Sequence, residues 1–271
     1  MRRRHVVYVL TYPQGSLLYK LTDWRAAPVN LCSDAKGDVF VSASTSTESG
    51  VIYEFAHGGK QPIATMNNPG STDGCSVDPT TGSVAVANYF SPLHQHHSNI
   101  AVFGPGQSSP KIYHQWDLRG FKYCTYDSAG NLFAEAGDRH GLVLVELPHG
   151  SDRFVRVTLN KPIEIPGPIQ WDGTDLAIGY PKSDAVYRVA VSGSTGTVVG
   201  SVLLKSPHGK ILDQFWIDGH TLMVPFAASG THAQEIGFWK YPGGGKIVGS
   251  LHSFQGATYL FAATVSVAPQ R

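Results

Sequence analysis

The stretch "CTYDSAGNLFAEA" (residues 124–136) decides the fold, because the chain repeats its plan five times. The other copies are "LCSDAKGDVFVSA" (31–43), "CSVDPTTGSVAVAN" (75–88), "IQWDGTDLAIGY" (169–180) and "FWIDGHTLMVPF" (215–226). In each, an apolar segment runs into an Asp, a Gly-bearing turn follows, and an alternating strand leads away. The shared residues Asp34, Asp78, Asp127, Asp172 and Asp218 are 44, 49, 45 and 46 positions apart. A strand-and-turn period of that length is expected of four-stranded propeller blades.

Each copy continues into a second alternating strand that ends in a Gly or Pro turn: "VIYEFAHGGK" (51–60), "IAVFGPGQS" (100–108), "VLVELPHGS" (143–151), "VYRVAVSGS" (186–194) and "IGFWKYPGGGK" (236–246). A period-2 run entering such a turn is a hairpin signal. Each unit therefore predicts strands a, b, c and d and no long amphipathic helix. One such unit cannot bury its own faces, whereas radial stacking buries them against neighbours. The expectation is an all-β, six-bladed β-propeller occupying residues 1–271 as one domain. Its blades are placed at about 28–67, 68–117, 118–162, 163–207 and 208–254, with the sixth built from 255–271 and 5–27.

The sixth blade draws on both termini. "VVYVLTYPQGSLLYKLTDW" (6–24) parallels "IGFWKYPGGGKIVGSLHSF" (236–254) and supplies strands c and d, while "AATVSVAPQ" (262–270) parallels strand a, with Ala268 at the Asp position. Pairing the termini removes an open edge. No good strand b is found, so a thinner sixth blade is predicted.

In the Asp-x-x-Gly turns the carboxylate is expected to cap backbone N–H groups while Gly takes the left-handed conformation. That turn chemistry accounts for the repetition without catalysis. The aromatic residues Trp171, Phe215, Trp216, Trp239 and Tyr241 are read as packing between blades.

Composition limits the function classes. Charged residues are 15%, against roughly 25% in average globular domains. The formal charge is +1, so no nucleic-acid partner is expected. No apolar run is long enough to predict a membrane span. The run Arg2 to Arg4 reads as a solvated end, and the apolar part from Val6 to Leu10 is too short for a secretion signal. A monomer is expected. The compartment is left open, although low charge and Gly/Ser/Thr-rich loops suggest an extracytoplasmic setting. Cys32, Cys75 and Cys124 have no CxxC spacing, so neither a disulfide framework nor a zinc site is predicted. Cys75 and Cys124 hold the same position in adjacent innermost strands, and are read as small buried residues in preference to a redox pair.

The pattern resembles the NHL-repeat and gluconolactonase-type six-bladed propellers, nearest to uncharacterised bacterial members. The resemblance rests on the turns "YPGG" (241–244), "YPQG" (12–15) and "AHGG" (56–59) and covers nearly the whole chain. It implies fold more than activity. In the gluconolactonase type, a metal over the axis is held by a Glu, two amides and an Asp at the entrances of the inner strands. Near those entrances this chain has Asn30, Asp73, Lys122, Gln170, Asp213 and Gln214, with no match for the Glu.

The b–c loops "STSTESG" (44–50), "YFSPLHQHHSN" (89–99), "GDRHG" (137–141), "YPKSDA" (180–185) and "PFAASGTHAQE" (225–235) differ in length and chemistry. Variable loops on a rigid scaffold are where specificity lives. Tyr89, Phe90, Tyr180 and Phe226 open these loops and are candidate ligand anchors, beside Asn30, Asp73, Lys122, Gln170 and Gln214. His94 and His96 form a His-x-His pair that could share an ion with His140, Glu48 or Asp138. A solvated loop is the simpler reading. His232 with Glu235 is a weak match to the catalytic pair of propeller lyases. No nucleophile elbow, phosphate loop or dinucleotide motif is present.

The expected function is non-enzymatic binding of a protein, peptide or glycan through the b–c face, with no catalytic residue and no cofactor. The alternative is a lactone hydrolase or lyase using Ca or Zn at the channel mouth.

Overall fold

The protein is described by a computed structural model that covers residues 5–22, 24–45, 49–91, 98–163, 167–206, 212, 214–227, 234–252, 254, 257 and 259–267. Every regular element among these residues is a strand. The chain opens with a hairpin, β1 (Val7–Leu10) and β2 (Leu17–Leu21). Five antiparallel units of four strands follow. Unit 1 holds β3 (Ala27–Ser33), β4 (Val39–Ser44), β5 (Gly50–Phe55) and β6 (Ala64–Asn68). Unit 2 holds β7 (Thr72–Val77), β8 (Val84–Asn88), β9 (Asn99–Phe103) and β10 (Lys111–Tyr113).

Unit 3 holds β11 (Cys124–Tyr126), β12 (Leu132–Asp138), β13 (Gly141–Leu147) and β14 (Val155–Leu159). Unit 4 holds β15 (Ile169–Trp171), β16 (Leu176–Tyr180), β17 (Ala185–Ser192) and β18 (Thr195–Lys205). Unit 5 holds β19 (Trp216–Asp218), β20 (Thr221–Ala227), β21 (Gln234–Lys240) and β22 (Gly244–Leu251). This all-β, propeller-like repeat is what the Asp-turn period predicts. Among the described residues no helix is long and apolar enough to cross a membrane.

The turn aspartates do what turn chemistry requires. Asp34 Oδ1 accepts the amides of Lys36 and Asp38, and Asp127 Oδ1 those of Ala129 and Asn131. Asp78 accepts from Thr80, and Asp172 from Thr174 and Asp175. The second strand of each unit is largely buried, with neighbours on both sides, and β8 is buried throughout.

Side chains of the innermost strands join successive units. Ser76 Oγ accepts the Tyr126 amide at 3.0 Å, and Thr125 Oγ1 accepts the Trp171 amide at 3.0 Å. Gln170 accepts from the Ile217 amide at 2.7 Å and donates to its carbonyl at 2.9 Å. All three residues stand two before their turn Asp and point to the following unit.

Cys32 stands at that same position in unit 1, and it is bonded to Cys75. The structure thus corrects the expectation that no disulfide forms. Position explains why. Cys75 and Cys124 stand three before their Asp and point to the preceding unit: Cys75 to Cys32, and Cys124 to the carbonyl of Ala85 in β8 at 3.9 Å. Two cysteines in the same position cannot meet, whereas a forward-pointing one meets a backward-pointing one.

The outer strands of units 3 to 5 also touch. Thr158 and Leu159 pair in parallel with Thr195 and Gly196, and Leu204 and Lys205 with Gly245 and Lys246. These short ladders merge the three units into one twelve-stranded sheet.

The β1–β2 hairpin follows unit 5 as unit 5 follows unit 4. The turns of β1–β2 and β21–β22 both contain a cis Tyr-Pro bond, Tyr12-Pro13 and Tyr241-Pro242, and a left-handed Gly, Gly15 and Gly244. A Cβ on Gly244 would lie 2.6 Å from the Leu203 carbonyl oxygen, so the turn admits no other residue there. The Tyr241 hydroxyl donates to Asp172 of unit 4, and the Tyr12 hydroxyl engages Asp218 of unit 5. On its other side the hairpin reaches unit 1, where the Tyr19 hydroxyl donates to the Gly59 carbonyl at 3.1 Å.

Residues 259–267 lie against unit 1. Ser33 Oγ donates to the Val265 carbonyl at 2.7 Å, His57 Nδ1 meets Ser266 Oγ at 2.7 Å, and Ser266 Oγ donates to the Gly37 carbonyl. The expected strand a is not formed as a ladder in this stretch. Among the described residues no strand b stands beside it, so this stretch has no ladder to join.

Candidate binding face

The b–c and d–a connections share one end of the units. The b–c connection of unit 2 rises from a buried amide ladder. Asn68 Nδ2 donates to Asn88 Oδ1 at 2.6 Å, and Asn88 Nδ2 donates to Asn99 Oδ1 at 2.8 Å. These side-chain bonds fix both roots of the loop, with Asn99 Nδ2 left as a buried donor that has no partner among the described residues. Above them Tyr89 and Phe90 are 44% and 47% exposed, in an edge-to-face pair with centroids 4.8 Å apart. The Tyr89 ring also lies over the d–a connection, where a Cβ on left-handed Gly120 would come within 3.1 Å of it.

Two residues further along that connection is Lys122, which has carboxyls of units 2 and 3 within electrostatic reach. Burial raises the Asp73 carboxyl to about 6, with Lys122 acting in the opposite direction. Glu135 in β12 is 2% exposed, and its Oε2 accepts the Gly167 amide at 2.9 Å. Burial pushes this carboxyl well above the ordinary range; the Gly167 amide and Lys122 only partly oppose it. The group therefore sets two carboxyls, each biased by burial toward the protonated form, beside the Lys122 side chain. Such a set can both donate and accept hydrogen bonds toward a polar ligand.

The remaining sequence candidates separate. Gln214 is buried and its Oε1 has no hydrogen-bond partner among the described residues. Asn30 is buried in β3, where its Oδ1 accepts the Leu31 amide at 2.7 Å. Both polar atoms of the Gln170 amide are taken by Ile217, so Gln170 is a tie between units 4 and 5. Phe226 is 5% exposed and packs on Trp239, making it part of the core and not a presented ring. Tyr180 is half-buried against Tyr187. In both cases the strand extends to include the aromatic residue, whose ring packs in or against a core cluster.

His94, His96, Glu48, Asp213 and His232 lie outside the described residues. His140 is exposed, and its Nε2 accepts from Arg139 Nε at 2.8 Å. Asp138 is engaged by Arg156 at 2.7 Å, and Glu235 faces His252 at 3.3 Å. Among the described residues no three of His, Cys, Asp and Glu gather as a metal-binding group. Asp73 and Glu135 do not fit a divalent cation either, since burial disfavours the charge of both carboxyls and Lys122 acts electrostatically on each.

Glu135 was not anticipated from the sequence. The available signal is a lone acidic residue flanked by alanines in an otherwise apolar strand, "LFAEAG" (132–137).

No known family profile matches the chain, and no curated protein matches it in sequence. Solved structures do match in fold. A chain of the nidogen/laminin complex superposes with a TM-score of 0.71 at 11% identity, over 98% of this chain and 99% of that one. A functionally unknown protein from Desulfotomaculum acetoxidans gives 0.64 at 10% identity, covering 98% and 96%. A protein of unknown function from Bacteroides caccae gives 0.63 at 9% identity, covering 95% and 93%. At these identities the likeness is one of fold.

Proposed function

We propose that the chain is a six-bladed propeller of the NHL-repeat type that binds a protein, peptide or glycan across its b–c face without catalysing a reaction. The observation that carries this reading is the exposed Tyr89–Phe90 pair above the buried Asn68–Asn88–Asn99 ladder. Amphipathic aromatics held on a rigid root bind with little loss of conformational entropy. Asp73 and Lys122 lie next along the same face and supply polar recognition. The nidogen/laminin likeness is compatible with a role in protein binding, as that structure is itself of a complex. The Cys32–Cys75 bond favours an oxidising, extracytoplasmic compartment.

Glycan and peptide arrays probed with the wild-type chain and with Tyr89→Ala/Phe90→Ala test the proposal. A captured ligand whose affinity falls at least tenfold in the double variant is the expected result, as for central aromatic anchors. Turnover of a lactone panel by the purified protein would overturn it in favour of the hydrolase alternative.

A further inference from the structure

Among the described residues six aromatic side chains are exposed, and five of them, Tyr89, Phe90, Trp116, Tyr259 and Phe261, stand in connections at the b–c end. Aromatic surface gathered at one end of a fold marks a contact surface. Tyr89, Phe90 and Trp116 form one group within it. The Tyr89 ring lies over Gly120, and Trp116, 59% exposed, stands four residues before that glycine. Chain reach alone keeps the two Cα atoms within about 14 Å of each other. A turn closed by the Leu118 amide, which donates to the Gln115 carbonyl at 3.0 Å, presents Trp116.

Cations are interleaved with these rings. Arg119 donates its amide to the Gly137 carbonyl at 2.7 Å and accepts the Gly137 amide at 2.6 Å, so its backbone is fixed while its side chain is exposed. That bridge sets the b–c turn of unit 3 alongside, with Arg139 exposed in it. Lys122 follows in the same connection. The nearby carboxylates Asp117 and Asp138 are both held by Arg156, at 2.6 and 2.7 Å. Burial disfavours the charge of Asp73. Among the described residues no carboxylate stands within ion-pair distance of Arg119, Lys122 or Arg139. This sector is therefore basic, although the chain as a whole carries only +1.

We propose that this sector binds an acidic oligosaccharide, with its sugar rings against Tyr89, Phe90 and Trp116 and its carboxylate or sulfate groups on Arg119, Arg139 and Lys122. The inference rests on the b–c face being a binding face, as proposed above, and names the class of ligand. An exposed aromatic ring offers a flat apolar surface to the C–H face of a pyranose, and a guanidinium fork matches a planar anionic group with two hydrogen bonds. A peptide strand finds no ladder to join here, because Gly137 is paired with Arg119 and β12 with both β11 and β13. A nucleic acid calls for a longer run of cations along its phosphates.

Calorimetry on the full chain tests the proposal with four probes of similar length: an oligogalacturonate, a sulfated heparin-derived oligosaccharide, a neutral cello-oligosaccharide and poly-glutamate. At least one of the two acidic oligosaccharides should bind about tenfold or more tighter than the neutral one, and less tightly as salt screens the exposed charges. Which of them binds distinguishes carboxylate from sulfate as the preferred group. Arg119→Gln/Arg139→Gln and Trp116→Ala should each weaken that binding about tenfold or more. These side chains are exposed, so the urea unfolding midpoint should stay unchanged. If a variant does not fold, the neutral and poly-glutamate probes still decide the matter on the wild-type chain.

No saturable binding of either acidic oligosaccharide at millimolar concentration, equal binding of the neutral one, equal binding of poly-glutamate, or indifference to Trp116→Ala would each overturn the proposal. Capture of a peptide or neutral glycan that depends on Tyr89 and Phe90 but not on Arg119 and Arg139 would overturn it and leave the b–c face as a binding face. Lactone turnover would remove both.

Discussion

The Tyr241 hydroxyl donates to Asp172 Oδ2 at 2.6 Å across the boundary between units 5 and 4. Arg188 completes the carboxylate's surroundings, with Nε 3.0 Å from Asp172 and Nη2 2.7 Å from Asp175. One turn aspartate thus caps its own turn, anchors a strand and holds the next unit. Burial pushes its carboxyl upward, but the bonds from Tyr241, the turn amides and Arg188 outweigh burial and hold it below the ordinary range.

Tyr241→Phe should therefore destabilise the protein by about 1.5–3 kcal/mol, the cost of removing a hydrogen bond to a charged group. Because the folded carboxyl titrates below the unfolded one, this contribution is present above the unfolded value of about 4. It is lost as pH falls through the folded value. Urea unfolding at pH 7 and pH 3 checks this: the deficit of the variant should shrink in acid.

Asp73 should show the opposite pH dependence. Its folded carboxyl stands at about 6, raised by burial, so ionising it costs stability. Stability should rise as pH falls from 7 toward 4. Asp73→Asn should be more stable than wild type at pH 7 by about 1–2 kcal/mol, after discounting for partial exposure, and equal to it near pH 4. Lys122→Met removes the opposing cation and should move the Asp73 titration above 6, as read by carboxyl NMR shifts.

Gln170 and Phe226 should register in stability and not in ligand binding. Gln170→Leu leaves the Ile217 amide and carbonyl unpaired in a half-buried seam, at about 1–3 kcal/mol. Phe226→Ala opens a cavity against Trp239 and should cost about 3–5 kcal/mol. Neither change should alter affinity for a ligand captured on the b–c face at a temperature where the variant is folded. An affinity loss without a shift in the unfolding midpoint would assign these residues to recognition.

A thiol count distinguishes the cysteine pairings. Cys124 is buried, and burial pushes its thiol up to about 12, so the native protein should give no reaction with a disulfide reagent at pH 8. Denaturation should expose one thiol, and reduction three. Replacing Cys32 and Cys75 by Ala should cost about 2–4 kcal/mol for release of the intervening loop.

The repeated units were legible because each carries its own turn chemistry. Asp34, Asp78, Asp127 and Asp172 cap local amides, and a local rule can be read from a local sequence. The contacts between units were not. Ser76, Thr125 and Gln170 are three different residue types doing one job, since any side chain that can hydrogen-bond a backbone group two strands away will serve. The Cys32–Cys75 pairing depended on a one-residue offset that only matters once the units are placed side by side. Phe226 and Tyr89 open equivalent loops, yet one strand continues through its aromatic and the other ends before it. Glu135 was obscured because an acidic residue in an apolar strand is uncommon, and no neighbour in sequence announces the Gly167 amide that it meets.

The outer ladders β14–β18 and β18–β22 have a mechanical consequence. Units 3, 4 and 5 must deform together, because bending one shears the hydrogen bonds of the next. Units 1 and 2 are tied near the axis by a covalent link, which leaves their rims free to splay. Load placed on any one of units 3 to 5 is thereby shared among all three, as in a laminated plate.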